Sequence, residues 1–288
     1  MKALAIRAGA LGDTIVALPA IAALAALPAR VELVGTSPYI ELARAAGLAA
    51  ATHSIDRARF RALFDAGADD AELVEFLEGF DLVVAWSRIP ALAATLGELG
   101  VDLLQADPLP PPAVHASDHL FRALAPLGIR GPAPYPRLRV EERPRLPSLD
   151  RRFVAIHPSS GSVDKNWPSE HFESLARRSV ERGLDVVWIQ GEADREVVAP
   201  LARAVSGSVA GELPIRELAG LLCECALFVG NDSGVSHLAA AVGAPTLTLF
   251  RSTEPAQWAP RGPRVQVVRA GASAEAVWGF ATDLMASC

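Results

Sequence analysis

The stretch Ala226–Phe250, ALFVGNDSGVSHLAAAVGAPTLTLF, decides the fold class of this chain. Its apolar run Ala226–Val229 predicts a buried strand, and Gly230–Gly234 is rich in residues that tolerate the backbone angles of a tight turn. A helix of small and apolar residues follows and is expected to stop at Gly243, ahead of Pro245 and a further apolar strand. A strand, turn, helix and strand in this order indicate an α/β fold with a parallel sheet.

The start of the predicted helix has the features of an anion-binding site. Free N–H groups at a helix N-terminus point at a common spot, and the helix dipole attracts phosphate there. Ser233 and His237 lie four residues apart, so on a helix both side chains can donate to a diphosphate, with Asp232 and Gly234 completing the turn. The alternative is that Ser233 only caps the helix and that His237 is a surface residue with its hydrogen bonds satisfied.

A second stretch, Phe153–Pro168 (FVAIHPSSGSVDKNWP), repeats this pattern. An apolar strand again precedes a turn, here with Ser159, Ser160 and Lys165, and an amphipathic helix is predicted over His171–Arg182. The two hydroxyls, the turn N–H groups and the ammonium form the second half of a predicted phosphate cradle. Neither stretch has the Walker sequence or the G-x-G-x-x-G fingerprint, so a nicotinamide-dependent oxidoreductase is not expected.

In combination, these segments resemble the two signature blocks of glycosyltransferase family 9, the ADP-heptose:lipopolysaccharide heptosyltransferases. The first block is His157-Pro-Ser-Ser-Gly with Lys165-x-Trp-Pro, and the second is Gly230-Asn-Asp-Ser-Gly-x-x-His. The opening segment Ile6–Asp13 (IRAGALGD) is similar to the family's first strand and glycine turn. The resemblance spans nearly the whole chain, with the motifs in the family's order.

The resemblance implies a GT-B architecture, in which two Rossmann-like domains with parallel sheets face each other across a cleft. It implies an inverting transfer of a heptose, or a related sugar, from a nucleotide diphosphate donor such as ADP-heptose to an acceptor hydroxyl such as one of the lipopolysaccharide core. It also implies that Asp13 is the catalytic base, whereas the alternative is that Asp13 only caps the first helix. A single displacement needs one base and stabilisation of the departing diphosphate, so no metal and no cofactor besides the nucleotide sugar are expected.

Apolar strand patterns alternate with helical patterns along the chain, which favours parallel sheets with helices on both faces. The predicted strands are Ala3–Ile6, Val31–Val34, Leu82–Ala85, Val101–Leu104, Val154–Ile156, Val186–Ile189, Leu227–Val229, Leu247–Phe250 and Val265–Val268. The proline-rich stretch Pro132–Asp150 is the predicted linker. We therefore expect an acceptor-side Rossmann-like domain over 1–140, a nucleotide-sugar-binding Rossmann-like domain over 151–270, and a C-terminal helix over 271–288 that packs back on the first domain.

Two further segments are similar to parts of the family that lie near the substrates. Glu192, Asp194 and Glu196 follow a predicted strand near the expected nucleoside, and Glu192 is our candidate for the ribose hydroxyls, with the other two left open. His115 and Asp118, ahead of a leucine-rich helix, are expected on the acceptor side of the cleft.

The acceptor side is where the chain departs from the family. After Asp81 many heptosyltransferases carry a second aspartate and a glutamine, whereas this chain has Ala85-Trp-Ser-Arg. A soluble small-molecule acceptor and a non-catalytic nucleotide-sugar-binding protein therefore stay open as alternatives. His115 and His119 also have the i, i+4 spacing of zinc ligands, but no third ligand is evident, so a metal site is not expected.

Composition narrows the partners and the compartment. A formal net charge of −6 disfavours nucleic acid as a partner and predicts at most peripheral contact with the inner membrane. The three cysteines include no C-x-x-C pair and no disulfide framework, which favours a reducing cytoplasm. The apolar run Thr14–Ala29 is shorter than the roughly 20 residues that a membrane span needs. The expected partners are a nucleotide sugar and a glycan or small-molecule acceptor.

Overall fold

The computed structural model describes residues 1–64, 71–141, 152–269 and 271–286. It divides the chain into two compact units, Met1–Pro134 and Tyr135–Cys288. Each unit is an α/β structure built on its own sheet, and every strand pairing in both sheets is parallel. The predicted α/β class with two parallel sheets is therefore confirmed.

The first unit has a five-stranded sheet with the spatial order β3-β2-β1-β4-β5. The strands are β1 (Lys2–Arg7), β2 (Arg30–Gly35), β3 (Ala51–Ser54), β4 (Leu82–Trp86) and β5 (Asp102–Ala106). The helices are α1 (Leu11–Ala25), α2 (Ile40–Ala45), α3 (Ala71–Glu78), α4 (Ala91–Leu99) and α5 (Ala116–Arg122), with 3-10 turns at Ala58–Leu63 and Ala125–Leu127. Residues on both faces of the central strands β1 and β4 are buried, as expected of a parallel sheet covered on each side.

The second unit has a six-stranded sheet with the order β11-β10-β9-β6-β7-β8. The strands are β6 (Phe153–His157), β7 (Asp185–Gln190), β8 (Ser208–Gly211), β9 (Leu227–Asn231), β10 (Thr246–Phe250) and β11 (Val265–Arg269). The helices are α6 (Ser169–Glu181), α7 (Arg195–Ala204), α8 (Ile215–Glu224), α9 (Gly234–Ala241), α10 (Pro255–Trp258) and α11 (Ala274–Ala286), with 3-10 turns at Val163–Lys165 and Glu192–Asp194. Helix α11 packs on α6 and on β9 to β11 of the same unit, and its packing on the first domain stays a prediction.

The two sheets share one strand order. Counted from its own first strand, each runs 3-2-1-4-5, and the second sheet adds a sixth strand at the end. In such sheets the chain leaves in opposite directions from strands 1 and 4, and ligands bind at the crevice beyond their carboxyl ends. That position lies between β1 and β4 in the first unit and between β6 and β9 in the second.

All nine predicted strands are present, and two strands were not predicted. The missed strands, β3 and β8, are four residues long and lie at sheet edges. The predicted end of α9 is confirmed, since Gly243 has a φ of +86° just after the helix. Among the described residues, no helix is both long and apolar enough to cross a membrane.

Candidate functional site

The turns after β6 and β9 meet because these strands are neighbours in the second sheet. His157, the last residue of β6, pairs with Gly230 of β9, so the segments 158–165 and 231–234 leave the sheet at the same edge. Lys165 Nζ consequently lies 2.9 Å from Asp232 Oδ2, although 67 positions separate the two residues. The structure thus brings together the two halves of the predicted phosphate cradle.

Asn231 joins the two turns and was not among the predicted site residues. Its side chain is wholly buried, and its Oδ1 accepts from the backbone N–H of Trp167 at 2.9 Å. Its Nδ2 donates to the carbonyl of Pro158 at 2.9 Å. Because removal of this amide breaks two hydrogen bonds between β9 and the segment after β6, Asn231 fixes the relative position of the two turns. An asparagine at the end of a buried apolar strand was the available sequence signal.

Lys165 is held by a buried anion and still faces solvent. Asp232 Oδ2 accepts from Lys165 Nζ and, at 2.7 Å, from the hydroxyl of Thr253. The Asp232 side chain is 6% exposed and the Lys165 side chain is 31% exposed. Since an ammonium has three N–H donors, the bond to Asp232 leaves others for an incoming anion. Asp232 therefore orients the lysine within the turn.

The start of α9 differs from the simple capping alternative. Ser233 is the N-cap residue, but its side chain makes no capping hydrogen bond. Its Oγ lies instead 3.4 Å from His157 Nδ1 and 3.3 Å from Ser236 Oγ. His237 is buried, so it is not the surface residue that the alternative required. Binding of a diphosphate by Ser233, Gly234 and His237 stays a prediction.

Asp194 makes its hydrogen bonds within the protein. Its Oδ2 lies 3.0 Å from His157 Nε2 and accepts from the backbone N–H of Gly191 at 2.8 Å. The hydrogen bond from His157 lowers the pKa of Asp194, burial opposes this, and the Gly191 N–H and the Ser159 hydroxyl add to the lowering. Of the three acidic candidates for the ribose, the exposed ones are Glu192 and Glu196.

The serines of the first turn differ in their surroundings. Ser159 is buried beside Asp194. Ser160 is partly exposed, and its hydroxyl lies 2.7 Å from Asn166 Oδ1 and 2.8 Å from the carbonyl of Ser162. A hydroxyl has one proton, so Ser160 donates to one of these at a time. Both serines shape the turn, and contact with a ligand stays a prediction for each.

Asp13 lies at the corresponding turn of the first unit, directly after β1. Its Oδ1 is 2.5 Å from Nη2 of the buried Arg7, and its Oδ2 accepts from the backbone N–H of Ala10 at 2.9 Å. Burial lowers the pKa of Arg7, and the charge of Asp13 opposes that. Ala10 is the N-cap of α1, so Asp13 is the third helical residue and reaches back to the cap. Its side chain is 31% exposed, so the carboxylate still faces solvent.

Gly9 makes this turn possible. Its φ is +143°, which L side chains rarely adopt, and a Cβ there would lie 2.6 Å from Asp13 Oδ2. Any side chain at this position would push the carboxylate away from the Ala10 N–H. The glycine therefore allows the backbone to pass close to Asp13.

The predicted acceptor-side residues organise the first unit. His115 is the N-cap of α5, and its Nδ1 accepts from the backbone N–H of Ser117 at 3.1 Å. Asp118 Oδ1 accepts from the backbone N–H of Ala133 at 3.0 Å. His119 Nε2 lies 2.7 Å from the carbonyl of Asp107. Within the described part of the chain, no group of three or more His, Cys, Asp or Glu side chains has the arrangement of a metal site. Contact with an acceptor stays a prediction.

Comparison with known protein sequences points to one family. The model of glycosyltransferase family 9 (heptosyltransferase) matches residues 102–278, more than half of the chain. Lipopolysaccharide heptosyltransferase 2 of Escherichia coli strain K12 is 31% identical over 130 residues, which are 42% of this chain. The chain spans 37% of the length of that relative.

Solved structures resemble the chain over its whole length. A glycosyl transferase family 9 structure from Veillonella parvula superposes with a TM-score of 0.84 at 18% identity, covering 100% of this chain and 97% of that one. The E. coli ADP-heptose lps heptosyltransferase II superposes with a TM-score of 0.79 at 17% identity, covering 100% and 99%. At this identity the likeness shows the fold, which is the GT-B fold predicted from the sequence.

Proposed function

Because the chain belongs to glycosyltransferase family 9, we propose that it is an inverting glycosyltransferase. In this proposal it moves a heptose, or a related sugar, from a nucleotide diphosphate donor, ADP-heptose, to a hydroxyl of the lipopolysaccharide core. The observation that carries the proposal is the junction of the two turns in the second unit, where Lys165, Ser233 and the start of α9 lie at one edge of the sheet. A phosphate-binding helix start beside an oriented ammonium suits a diphosphate.

The second unit would stabilise the leaving group. When the bond between the anomeric carbon and the diphosphate oxygen breaks, its electron pair stays on that oxygen, and negative charge grows there. The remaining N–H donors of Lys165 and the free N–H groups at the start of α9 would stabilise this charge. We assign Ser233 and His237 to the same diphosphate. We assign Glu192 to the ribose, because it is exposed and lies nearer the end of β7 than Glu196, the other exposed candidate.

The first unit would supply the base. The carboxylate of Asp13 would accept the proton of the acceptor hydroxyl while that oxygen forms the new bond to the anomeric carbon. Its ion pair with Arg7 and its hydrogen bond from Ala10 hold the carboxylate in one orientation. A base on the face opposite the leaving group inverts the anomeric centre in a single step. We assign His115 and Asp118 to the acceptor side of this unit.

The partners follow from the same proposal. They are a nucleotide sugar and a glycan acceptor, without nucleic acid, and the site of action is the cytoplasm, with at most peripheral contact with the inner membrane. The negative net charge of the chain supports the absence of nucleic acid. Its cysteines form no C-x-x-C pair, which supports the cytoplasm as the compartment.

Product analysis tests the proposal. The full chain is incubated with ADP-heptose and either a lipopolysaccharide-core acceptor or a soluble aminoglycoside, and mass spectrometry and NMR identify the product and its anomeric configuration. Transfer to the core with inversion is the expected result. Transfer only to the soluble acceptor would move the function to small-molecule glycosylation. Binding of ADP-heptose without any product would indicate a non-catalytic nucleotide-sugar-binding protein.

A thermal-shift screen with ADP, UDP, GDP and NAD tests the donor separately. A ligand at 100 times its dissociation constant raises the free energy of unfolding by about 2.7 kcal/mol. We expect the largest shift with ADP. A shift with NAD alone would contradict the glycosyltransferase assignment.

A further inference from the structure

A chain of hydrogen bonds runs beneath the proposed diphosphate site. It begins at Asp194, passes through both ring nitrogens of the buried His157, and reaches Ser233 and Ser236 at the start of α9. Asp194 belongs to the turn after β7, His157 to β6, and the two serines to the turn after β9 and its helix. This chain links three segments of the second unit through one imidazole.

The proton of each group in the chain can be assigned by counting donors and acceptors. Ser236 Oγ lies 2.5 Å from the carbonyl of Asn231, which can only accept, so the Ser236 proton points there. Toward Ser233, the Ser236 oxygen is therefore an acceptor. The ionised carboxylate of Asp194 can only accept, so His157 Nε2 donates to its Oδ2, which also accepts from the N–H of Gly191. The donor and acceptor count does not fix whether His157 Nδ1 is protonated.

The state of Nδ1 decides where the Ser233 proton goes. If the imidazole is neutral, Nδ1 is an acceptor. Ser233 Oγ then has two acceptors within the protein, His157 Nδ1 and Ser236 Oγ, and its proton points to one of them. Ser233 then presents only lone pairs outward, which repel a phosphate oxygen. If the imidazole is protonated, Nδ1 donates to Ser233 Oγ at the observed 3.4 Å, and Ser236 Oγ is left as the one inward acceptor of this pair, at 3.3 Å. A charged phosphate oxygen is a stronger acceptor than the Ser236 hydroxyl, so the Ser233 proton turns toward the phosphate.

We propose that His157 is a positioning residue that takes up a proton from solvent when a nucleotide diphosphate binds, and so turns the Ser233 hydroxyl from a donor to the protein into a donor to the diphosphate. Asp194 holds the imidazolium, and its role lies in this relay and not at the ribose. The inference rests on the proposed function, since it names how the proposed donor site engages its ligand.

The surrounding charges favour this proton uptake. Asp194 is an anion at one ring nitrogen, and the diphosphate adds negative charge beyond Ser233. A second charged pair on the described turns, Lys165 with Asp232, has its charged atoms 2.9 Å apart and carries no net charge. His237 stands one helical turn beyond Ser233 and is the remaining titratable group on that face of α9.

Calorimetry of ADP binding tests the proposal. ADP is titrated at one pH into the full chain in two buffers with different ionisation enthalpies, so that the observed heat reports proton exchange. We expect net proton uptake by the wild-type protein relative to His157→Gln, because glutamine can bond both neighbours but cannot take up a proton. ADP affinity should fall about tenfold in this variant. His53→Gln is the matched control, since His53 makes an equivalent 2.8 Å pair with Glu32 in the first unit, and its proton exchange should equal that of the wild type.

The result that overturns the proposal is ADP binding with equal proton exchange in the wild type and His157→Gln. If that variant does not fold, nitrogen NMR of the wild-type His157 ring replaces it. Protonation of Nε2 alone in the free protein and of both nitrogens with ADP supports the relay, and an unprotonated Nδ1 in the complex refutes it. Failure of the wild type to bind either ADP or pyrophosphate would instead refute the proposed donor chemistry, and the relay with it.

Discussion

Each unit holds an ion pair at the carboxyl end of its first strand, and the buried partner is a cation in the first unit and an anion in the second. In the first unit the buried cation Arg7 holds the carboxylate of Asp13, with side-chain exposures of 6% and 31%. In the second unit the buried anion Asp232 holds the ammonium of Lys165, again with exposures of 6% and 31%. In each pair packing fixes one partner, while the other faces solvent in a restricted orientation.

The difference shows that one strand order can present different chemical groups at the same position. Both turns follow the first strand of a sheet with the same strand order, at the position where such sheets bind ligands. The first presents a proton acceptor and the second presents a cationic donor. Reversing which charge is buried therefore changes the chemistry that a turn offers without changing the fold around it.

Removing the exposed charge of the first pair should have the largest effect. Asp13→Asn keeps an oxygen for the Ala10 N–H but cannot take a proton, so we expect kcat to fall about 10² to 10⁴-fold while nucleotide binding persists. Steady-state kinetics and a thermal shift with ADP measure the two quantities. Glu173→Gln is a matched control, because it also takes a carboxylate from an arginine, Arg177, on the surface of α6. A fully active asparagine variant would remove Asp13 from the mechanism.

Removing donors from the proposed diphosphate site of the second unit should lower activity somewhat less. Lys165→Ala and His237→Ala should each lower kcat/KM by the equivalent of about 2 to 4 kcal/mol, because each removes a donor to the developing charge. Thr253→Val provides the comparison, since it removes the other hydrogen bond to Asp232 and leaves the ammonium in place. Thr253→Val should lower kcat/KM by the equivalent of about 1 kcal/mol. Unchanged turnover and ADP affinity in both alanine variants would show that the diphosphate binds elsewhere.

Disturbing the first turn while keeping both charged side chains should lower the stability of the fold. Gly9→Ala combines an unfavourable positive φ with a Cβ close to Asp13, so we expect the free energy of unfolding to fall by about 1 to 3 kcal/mol. Gly97→Ala lies inside α4 with no neighbour within 4 Å of the new Cβ, and it should be neutral or stabilising. Denaturant unfolding compares the two. Equal stability of both variants would contradict the steric account of the turn.

The smallest expected effect is a loss of folding stability in acid, in both units. The pKa of Asp194 is held below its ordinary value, first by His157, and that of Glu32 is also low, because His53 and Lys2 outweigh its burial. A carboxyl with a lowered folded-state pKa contributes stability above its unfolded pKa, about 4, and loses it as the pH falls through the folded value.

The measurement is the free energy of unfolding between pH 7 and pH 3. Asp194→Asn and Glu32→Gln should each reduce stability at pH 7 by about 1 kcal/mol or less, and the difference from the wild type should shrink below about pH 4. A difference that stays constant to pH 3 would show that the loss is steric and not electrostatic.

The central strands could be predicted and two edge strands could not. Strands such as β1 and β9 are buried on both faces, so they appear in the sequence as continuous apolar runs. The edge strands β3 (ATHS) and β8 (SVAG) are short, partly exposed and weakly apolar. They are strands because β2 and β7 pair with them. This pairing is not visible in the local sequence pattern of either segment.

The residues of the turns were readable from the sequence, because a glycine- and serine-rich segment after a buried strand has few conformations and a recognisable composition. Their partners were not, since the partner of Lys165 lies 67 positions away and that of His157 lies 37 positions away. Only the parallel register of β6 with its neighbours brings these atoms to hydrogen-bond distance. The local sequence therefore specified which chemical groups stand at the sheet edge, and the tertiary structure decided which are buried to orient the others, because burial depends on packing between distant segments.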